Sequence, residues 1–288
     1  MTRFSERRWT TPGGLSLYAR DYPARDGEQC LPVLCLHGFT RNSADFEDLA
    51  PVIAAGGRRV IVIDMRGRGR SDRDPRPKNY HPKVYAADVI GFLADLNVAK
   101  AVFLGTSMGG LITFAVALLR PKLIGAAILN DVGPAVEPAG IRRIQSYAGK
   151  ALEVRNWDDA ANYCRVINET CLPQYGAEDW PRMARRIFRD GPAGPELDYD
   201  PAIATAPGAR TKTSSFLAWF ALRRLAKRVP TLLIRGEHSD ILSDQIARRM
   251  QRKAPAMQLA VIPNVGHAPT LAEPEALAAI RSFLGRVD

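Results

Sequence analysis

The sequence predicts an α/β fold, a doubly wound and mostly parallel sheet of eight strands into which a helical cap is inserted. Three observations carry that expectation. Runs such as Arg59-Val-Ile-Val-Ile-Asp64 are apolar without alternation, the pattern of strands in parallel sheets covered on both faces. Stretches of helical period separate these runs, so strand and helix alternate along the chain. The rhythm stops after Asp131 and resumes only at Pro230, with no strand run between.

Taken in order, Arg7 to Thr10 and Leu15 to Ala19 flank Pro12-Gly13-Gly14 and read as a β-hairpin. Four continuous apolar runs follow, at 31–36, 59–64, 101–105 and 124–129. Helical periods occupy Ser43 to Ala55, Pro82 to Leu96 and Met108 to Leu119. The inserted stretch reads as amphipathic helices at Ile141–Leu152, Trp157–Thr170, Trp180–Phe188 and Phe216–Lys227, punctuated at Gly191-Pro-Ala-Gly-Pro195 and Pro207-Gly208. Strands at 230–235 and 258–262 and a helix from Glu273 to Leu284 close the chain. The expected division is therefore 1–131 and 230–288 for the sheet domain and 132–229 for the cap.

The composition, 46% hydrophobic and 24% charged over 288 residues, excludes disorder, collagen and coiled coil. No run approaches the roughly 18 apolar residues of a membrane span, and the start lacks the apolar core of a secretory signal. Cys30, Cys35, Cys164 and Cys171 form no CxxC and no zinc spacing, which predicts free thiols and a cytoplasmic location, with no metal. The net charge of +10 is carried by 32 arginines and 8 lysines, denser from Arg58 to Lys83 and in the cap. A weak steering field for anions is one reading and solvated surface the plainer one; no nucleic-acid motif accompanies the charge.

Ligands of open α/β sheets bind at the carboxyl ends of strands, so the residues after each run decide the chemistry. The third run leads into Gly105-Thr-Ser107-Met-Gly109-Gly110 directly before a helix, the G-x-S-x-G elbow in its strand–turn–helix setting. Small residues are needed there because strand and helix nearly touch, and the helix N-terminus behind Ser107 adds free N–H groups and positive potential. A serine needs a base. His267, in Val265-Gly-His-Ala-Pro269 after the last strand, stands where the chain order nucleophile, acid, histidine requires it; His81 reads as surface and His238 as a loop residue. The acid is expected after the penultimate strand, where Asp240 of Gly236-Glu-His-Ser-Asp240 is best placed, with Glu237 and Asp244 as local rivals. Asp131 is the more serious rival; its other reading is a carboxylate pinning the start of the cap.

A tetrahedral intermediate also needs two N–H donors for its oxyanion. Met108, next to the nucleophile, and Phe39, in the loop His37-Gly38-Phe39-Thr40 after the first parallel strand, are expected to supply them. Gly38 permits close backbone approach, His37 props the loop, and Arg41 reads either as a salt-bridge partner or as a contact to a substrate carbonyl.

Together His37-Gly38-Phe39, Asp64-Met-Arg-Gly-Arg-Gly-Arg-Ser71, Gly105-Thr-Ser-Met-Gly-Gly110, Gly236-Glu-His-Ser-Asp240 and Gly266-His267 resemble the landmarks of the α/β-hydrolase superfamily, over essentially the whole chain. The resemblance is to bacterial carboxylesterase-type members with a cap. It implies ester hydrolysis through an acyl-serine, with neither metal nor cofactor; related branches act on lactones, polyesters, peroxyacids and C–C bonds. Some relatives carry the acid on the earlier strand, at the place of Asp131. A serine at 107 argues against the branches that use a carboxylate nucleophile. The expected partner is a small-molecule ester, with no nucleic acid and no membrane span; lactonase or C–C hydrolase is the alternative, and a ligand-sensing protein of the same fold the reading from another class. Ile144, Tyr147, Trp157, Tyr163, Phe216, Trp219 and Phe220 of the cap could line the pocket, Ile144, Tyr147, Trp219 and Phe220 foremost, and Arg142 or Arg143 could clamp a carboxylate.

Overall fold

A computed structural model describes residues 4–25, 30–150, 153–206 and 214–288. In chain order its strands are β1 (Ser5–Thr10), β2 (Ser16–Tyr22), β3 (Val33–Leu36), β4 (Val60–Ile63), β5 (Ala101–Thr106), β6 (Ile124–Asn130), β7 (Phe188–Gly191), β8 (Gly194–Leu197), β9 (Thr231–Gly236) and β10 (Gln258–Ile262). Eight of them form one sheet in the order β1-β2-β4-β3-β5-β6-β9-β10. The β1–β2 hairpin is antiparallel and β2 joins β4 antiparallel, while every other pairing is parallel.

The helices are α1 (Leu49–Ala55), α2 (Pro82–Asp95), α3 (Met108–Leu119), α4 (Pro138–Tyr147), α5 (Trp157–Asn168), α6 (Asp179–Ile187), α7 (Phe216–Arg228), α8 (Asp244–Lys253) and α9 (Pro274–Leu284). Every residue of β3, β4 and β6 is buried because both faces of the sheet are covered. Alternate side chains go to opposite faces. Leu34, Ile61, Phe103 and Leu129 meet Phe92 of α2 and Ile112 of α3, while Val33, Val62, Leu104 and Ile128 meet Ile53 of α1 and Ile280 of α9.

Three local details depart from the expectation. The first helical stretch begins as a short 3-10 turn (Ser43–Phe46) capped by Asn42 before α1 starts at Leu49. Helix α8, capped by Ser243, supplies the crossover that a parallel β9–β10 pair requires and was not anticipated. Gly191-Pro-Ala-Gly-Pro195 is the turn of a small β7–β8 hairpin, so the inserted stretch is not purely helical. The Leu152 end of the first expected cap helix and the Pro207-Gly208 break lie outside the described residues.

Helices α4, α5 and α6 and the β7–β8 hairpin stand over the carboxyl ends of the strands. Helix α7 behaves differently from the rest of 132–229. Its Ala221, Leu222 and Leu225 are buried in the same cluster as Ile112 and Val116 of α3, so it serves as the crossover into β9. Among the described residues no helix is long and apolar enough to cross a membrane.

Candidate active site

Strand β5 ends at Thr106 and α3 begins at Met108, leaving Ser107 alone on the turn with φ 50° and ψ −109°. A non-glycine residue in that region is strained, and such strain persists where surrounding structure over-determines it. Here the surroundings do so. A Cβ on Gly105 would overlap the Gly109 carbonyl group, one on Gly109 the Leu36 carbonyl oxygen, and one on Gly110 the Val132 side chain. The Ser107 N–H is also tied to the Asn130 carbonyl at 2.9 Å.

The Ser107 hydroxyl lies 3.0 Å from Nε2 of His267, which the loop after β10 presents. Nδ1 of that ring is 2.7 Å from Oδ2 of Asp131, the first residue past β6. Asp131 is fully buried and accepts two further hydrogen bonds, from the Gly236 N–H at 3.1 Å and the Ser239 hydroxyl at 2.5 Å. Because the carboxylate can only accept, Nδ1 of His267 carries the proton and Nε2 is left to accept from Ser107. Asp131 sits at φ 51°, which an aspartate tolerates better than most side chains.

The structure does not bring Asp240 to His267. Its two carboxylate oxygens meet Nε and Nη2 of Arg143 on α4 at 2.7 and 2.9 Å. Burial would push its pKa up, but the Arg143 hydrogen bonds and charge outweigh burial and hold the carboxyl below its ordinary value. The physical reason is competition for partners: Arg143 of the cap engages both Asp240 oxygens, while Nδ1 of His267 is already taken by Asp131, which directly follows β6. Arg143 is thereby also occupied, and it does not serve as a free carboxylate clamp. Ser239, which supports Asp131, was not anticipated; nothing in its local pattern distinguishes it from other loop serines.

The loop after β3 is held from behind. His37 is fully buried and accepts at Nε2 from the Met65 N–H, 3.1 Å away, so its Nδ1 donates to the Gly38 carbonyl at 2.7 Å. Burial pushes its pKa down to about 4, keeping the ring neutral. Asp64 anchors the same region by accepting from the N–H groups of Ser43 and Arg70, and burial pushes its pKa up to about 6. Arg41 forms a salt bridge with Asp45, at 2.6 Å for the closest atoms, and lines the polar cavity described next.

Two cavities meet at Ser107, Phe39 and Ile144. One, of about 280 Å³, is apolar, with Met108, Leu111, Val132, Val136 and Ile141 among its walls. The other, of about 140 Å³, is more polar and carries His267, Arg41, Tyr147, Tyr163 and Asn168. Among the expected pocket residues, Ile144 and Tyr147 face these cavities and Trp219 and Phe220 do not. Trp219 packs under the Arg249 guanidinium at 4.5 Å, and Phe220 is exposed beside Phe216, because the buried face of α7 is spent on α3. Trp157 stacks with Arg185 at 3.5 Å, away from Ser107.

A family model described as the alpha/beta hydrolase family matches residues 33–280. The structure is similar to that of an alpha/beta hydrolase from Novosphingobium aromaticivorans, with TM-score 0.92, 41% identity and full coverage of both chains. In sequence the chain is 32% identical over 257 residues to the 3-hydroxybutyrate-oligomer hydrolase of Cupriavidus necator, covering 87% of each. It is 26% identical over 264 residues to the 2-(acetamidomethylene)succinate hydrolase of Mesorhizobium japonicum, covering 88% of this chain and 87% of that one.

Proposed function

The chain belongs to the alpha/beta hydrolase family and is a hydrolase; from that premise we propose that it cleaves carboxylic esters through an acyl-serine intermediate. The observation that carries this reading is the unbroken relay from Ser107 through His267 to Asp131, opening onto two cavities. In the proposed cycle, Ser107 Oγ attacks the ester carbonyl as His267 Nε2 takes its proton. Asp131 keeps the ring oriented and stabilises the imidazolium without itself becoming protonated. The N–H groups of Phe39 and Met108 hold the oxyanion; that of Met108 is free for this because it lies in the first turn of α3. Collapse expels the alcohol, which takes the proton from His267. Water, deprotonated by His267, then attacks the acyl-serine and releases the acid.

The cavities support an ester with an apolar arm on one side of the carbonyl and a smaller hydrogen-bonding arm on the other. Short hydroxyalkanoate esters fit that description, in keeping with the activity named for the Cupriavidus relative. Lactone or C–C bond hydrolysis by the same residues is the second reading; the relative named for 2-(acetamidomethylene)succinate, a substrate with an acetamido group in place of an ester, supports a reaction other than simple ester cleavage. A fluorophosphonate probe is expected to label Ser107. Turnover of p-nitrophenyl butyrate and 3-hydroxybutyrate oligomers is expected to disappear in Ser107→Ala; absent labelling, or hydrolysis surviving that substitution, rejects the mechanism. Product analysis with a lactone and a vinylogous diketone separates the two readings.

A further inference from the structure

Arg68, in the middle of Asp64-Met-Arg-Gly-Arg68-Gly-Arg-Ser71, is 0% exposed, and among the described residues no carboxylate pairs with it. Its Nε donates to the Phe39 carbonyl at 3.1 Å, and Nη1 donates to the Arg66 carbonyl at 2.9 Å and the Tyr85 hydroxyl at 2.7 Å. Nη2 rests 3.6 Å from the Met108 sulfur. The rings of Phe39, Tyr80 and Tyr85 surround the guanidinium with centroids 5.6, 5.6 and 5.0 Å away. The Tyr80 hydroxyl is itself turned to Asp200, at 2.5 Å, which leaves the cation facing π-faces, two carbonyls, the Tyr85 hydroxyl and the Met108 sulfur, all of them neutral groups.

Burying a charge without an opposite one is costly, and aromatic faces and carbonyl oxygens offset part of that cost. What remains is a fixed positive potential, and its contacts place it against two particular residues, Phe39 and Met108. These carry the N–H groups assigned above to the oxyanion. We propose that Arg68 is a positioning residue for the oxyanion hole, and that the tetrahedral adduct on Ser107 supplies a counter-charge that none of the described residues offers it. The inference rests on the serine-hydrolase reading. Arg68 acts through the main chain of the β3 loop, locking Phe39 in orientation from behind, and its charge bears on the site from beneath the apolar cavity, whose floor includes Phe39, Tyr80, Tyr85 and Met108. The same charge helps keep His37 neutral, after burial itself, so the prop of that loop cannot become a competing cation. A lysine in this place keeps the charge but cannot reach Phe39, Arg66 and Tyr85 together, because only the guanidinium fork offers donors in those directions.

The test compares binding of a charged adduct with binding of a neutral ground state in R68M and R68K. An alkyl boronic acid forms a tetrahedral anion on Ser107, whereas the unreactive amide of butyric acid does not. For R68M, kcat on p-nitrophenyl butyrate is expected to fall about 10- to 100-fold with KM within about twofold. Boronate affinity is expected to fall in step with kcat and amide affinity to hold, with R68K intermediate. Equal weakening of boronate and amide, or boronate affinity within twofold of wild type, overturns the proposal. If R68M does not fold, the boronate-to-amide ratio of R68K decides by the same criterion. Loss of fluorophosphonate labelling in the wild-type protein defeats the underlying reading instead, so the two failures are distinguishable.

Discussion

The loops after β6 and after β9 make an instructive pair. The two strands are parallel neighbours, with Asn130 opposite Ile234, so their ends deliver two loops side by side, each carrying an aspartate. Asp131 follows its strand immediately, is fully buried and accepts from Ser239, Gly236 and His267. Asp240 stands on a longer tether, keeps 29% of its side chain exposed and faces Arg143 of the cap. One carboxylate is committed to the histidine and to the loop behind it, the other to an arginine of the cap. The second loop still serves the first, because Ser239 lends its hydroxyl to Asp131.

The largest expected effect that sharpens this contrast comes from D131N. Replacing the triad carboxylate by an amide on a comparable site lowers kcat about 10⁴-fold, and a fall of that order is expected here in steady-state kinetics. D240N is expected to lower kcat less than about tenfold, since it breaks a cap contact of the partly exposed kind, worth about 1 kcal/mol or less. The double variant D131N/D240N is expected to be slower than D131N by no more than the D240N factor; a loss of about 10⁴-fold in D240N with little loss in D131N would reverse the assignment of the acid.

Next in size is S239A. It removes one of three hydrogen bonds to a buried carboxylate, a loss of about 1–3 kcal/mol. The expected result is a reduction in kcat of about tenfold with KM retained, read on the same ester. An unchanged rate would make the second loop irrelevant to the first.

The smallest effect is the pH dependence of the Asp240–Arg143 pair. The folded carboxyl lies below its unfolded value, so the unfolded chain binds more protons as pH falls. The pair's stabilisation is fully present above an unfolded value of about 3.9 and is lost as pH falls through the lower folded value. Urea melts are therefore expected to show D240N less stable than wild type by at most about 1 kcal/mol at pH 7, with the difference shrinking below about pH 3.5. A constant difference across that range would mean the pair contributes by packing alone.

Much of the sheet was legible because its signal is local. β3, β4, β5, β6, β9 and β10 are near-continuous apolar runs, and the glycines of the elbow announce a strand and helix in contact. The β7–β8 hairpin was not, since Phe188 to Leu197 holds too few apolar residues to show a period. That Trp219 and Phe220 lie away from the cavities at Ser107 was not legible for a similar reason: their spacing marks a helix face but not what lies opposite it.

By itself the sequence determined the strand order of chemistry: which turn carries Ser107, which loop carries His267, and which loop lies above them. Those features depend on residues adjacent in the chain. Only the tertiary structure set Asp131 rather than Asp240 against His267 and brought Arg68 against Phe39 and Met108. Both outcomes depend on distances between strand ends far apart in sequence, and a hydrogen bond to a histidine or an unpaired buried charge exists only once those ends are brought together.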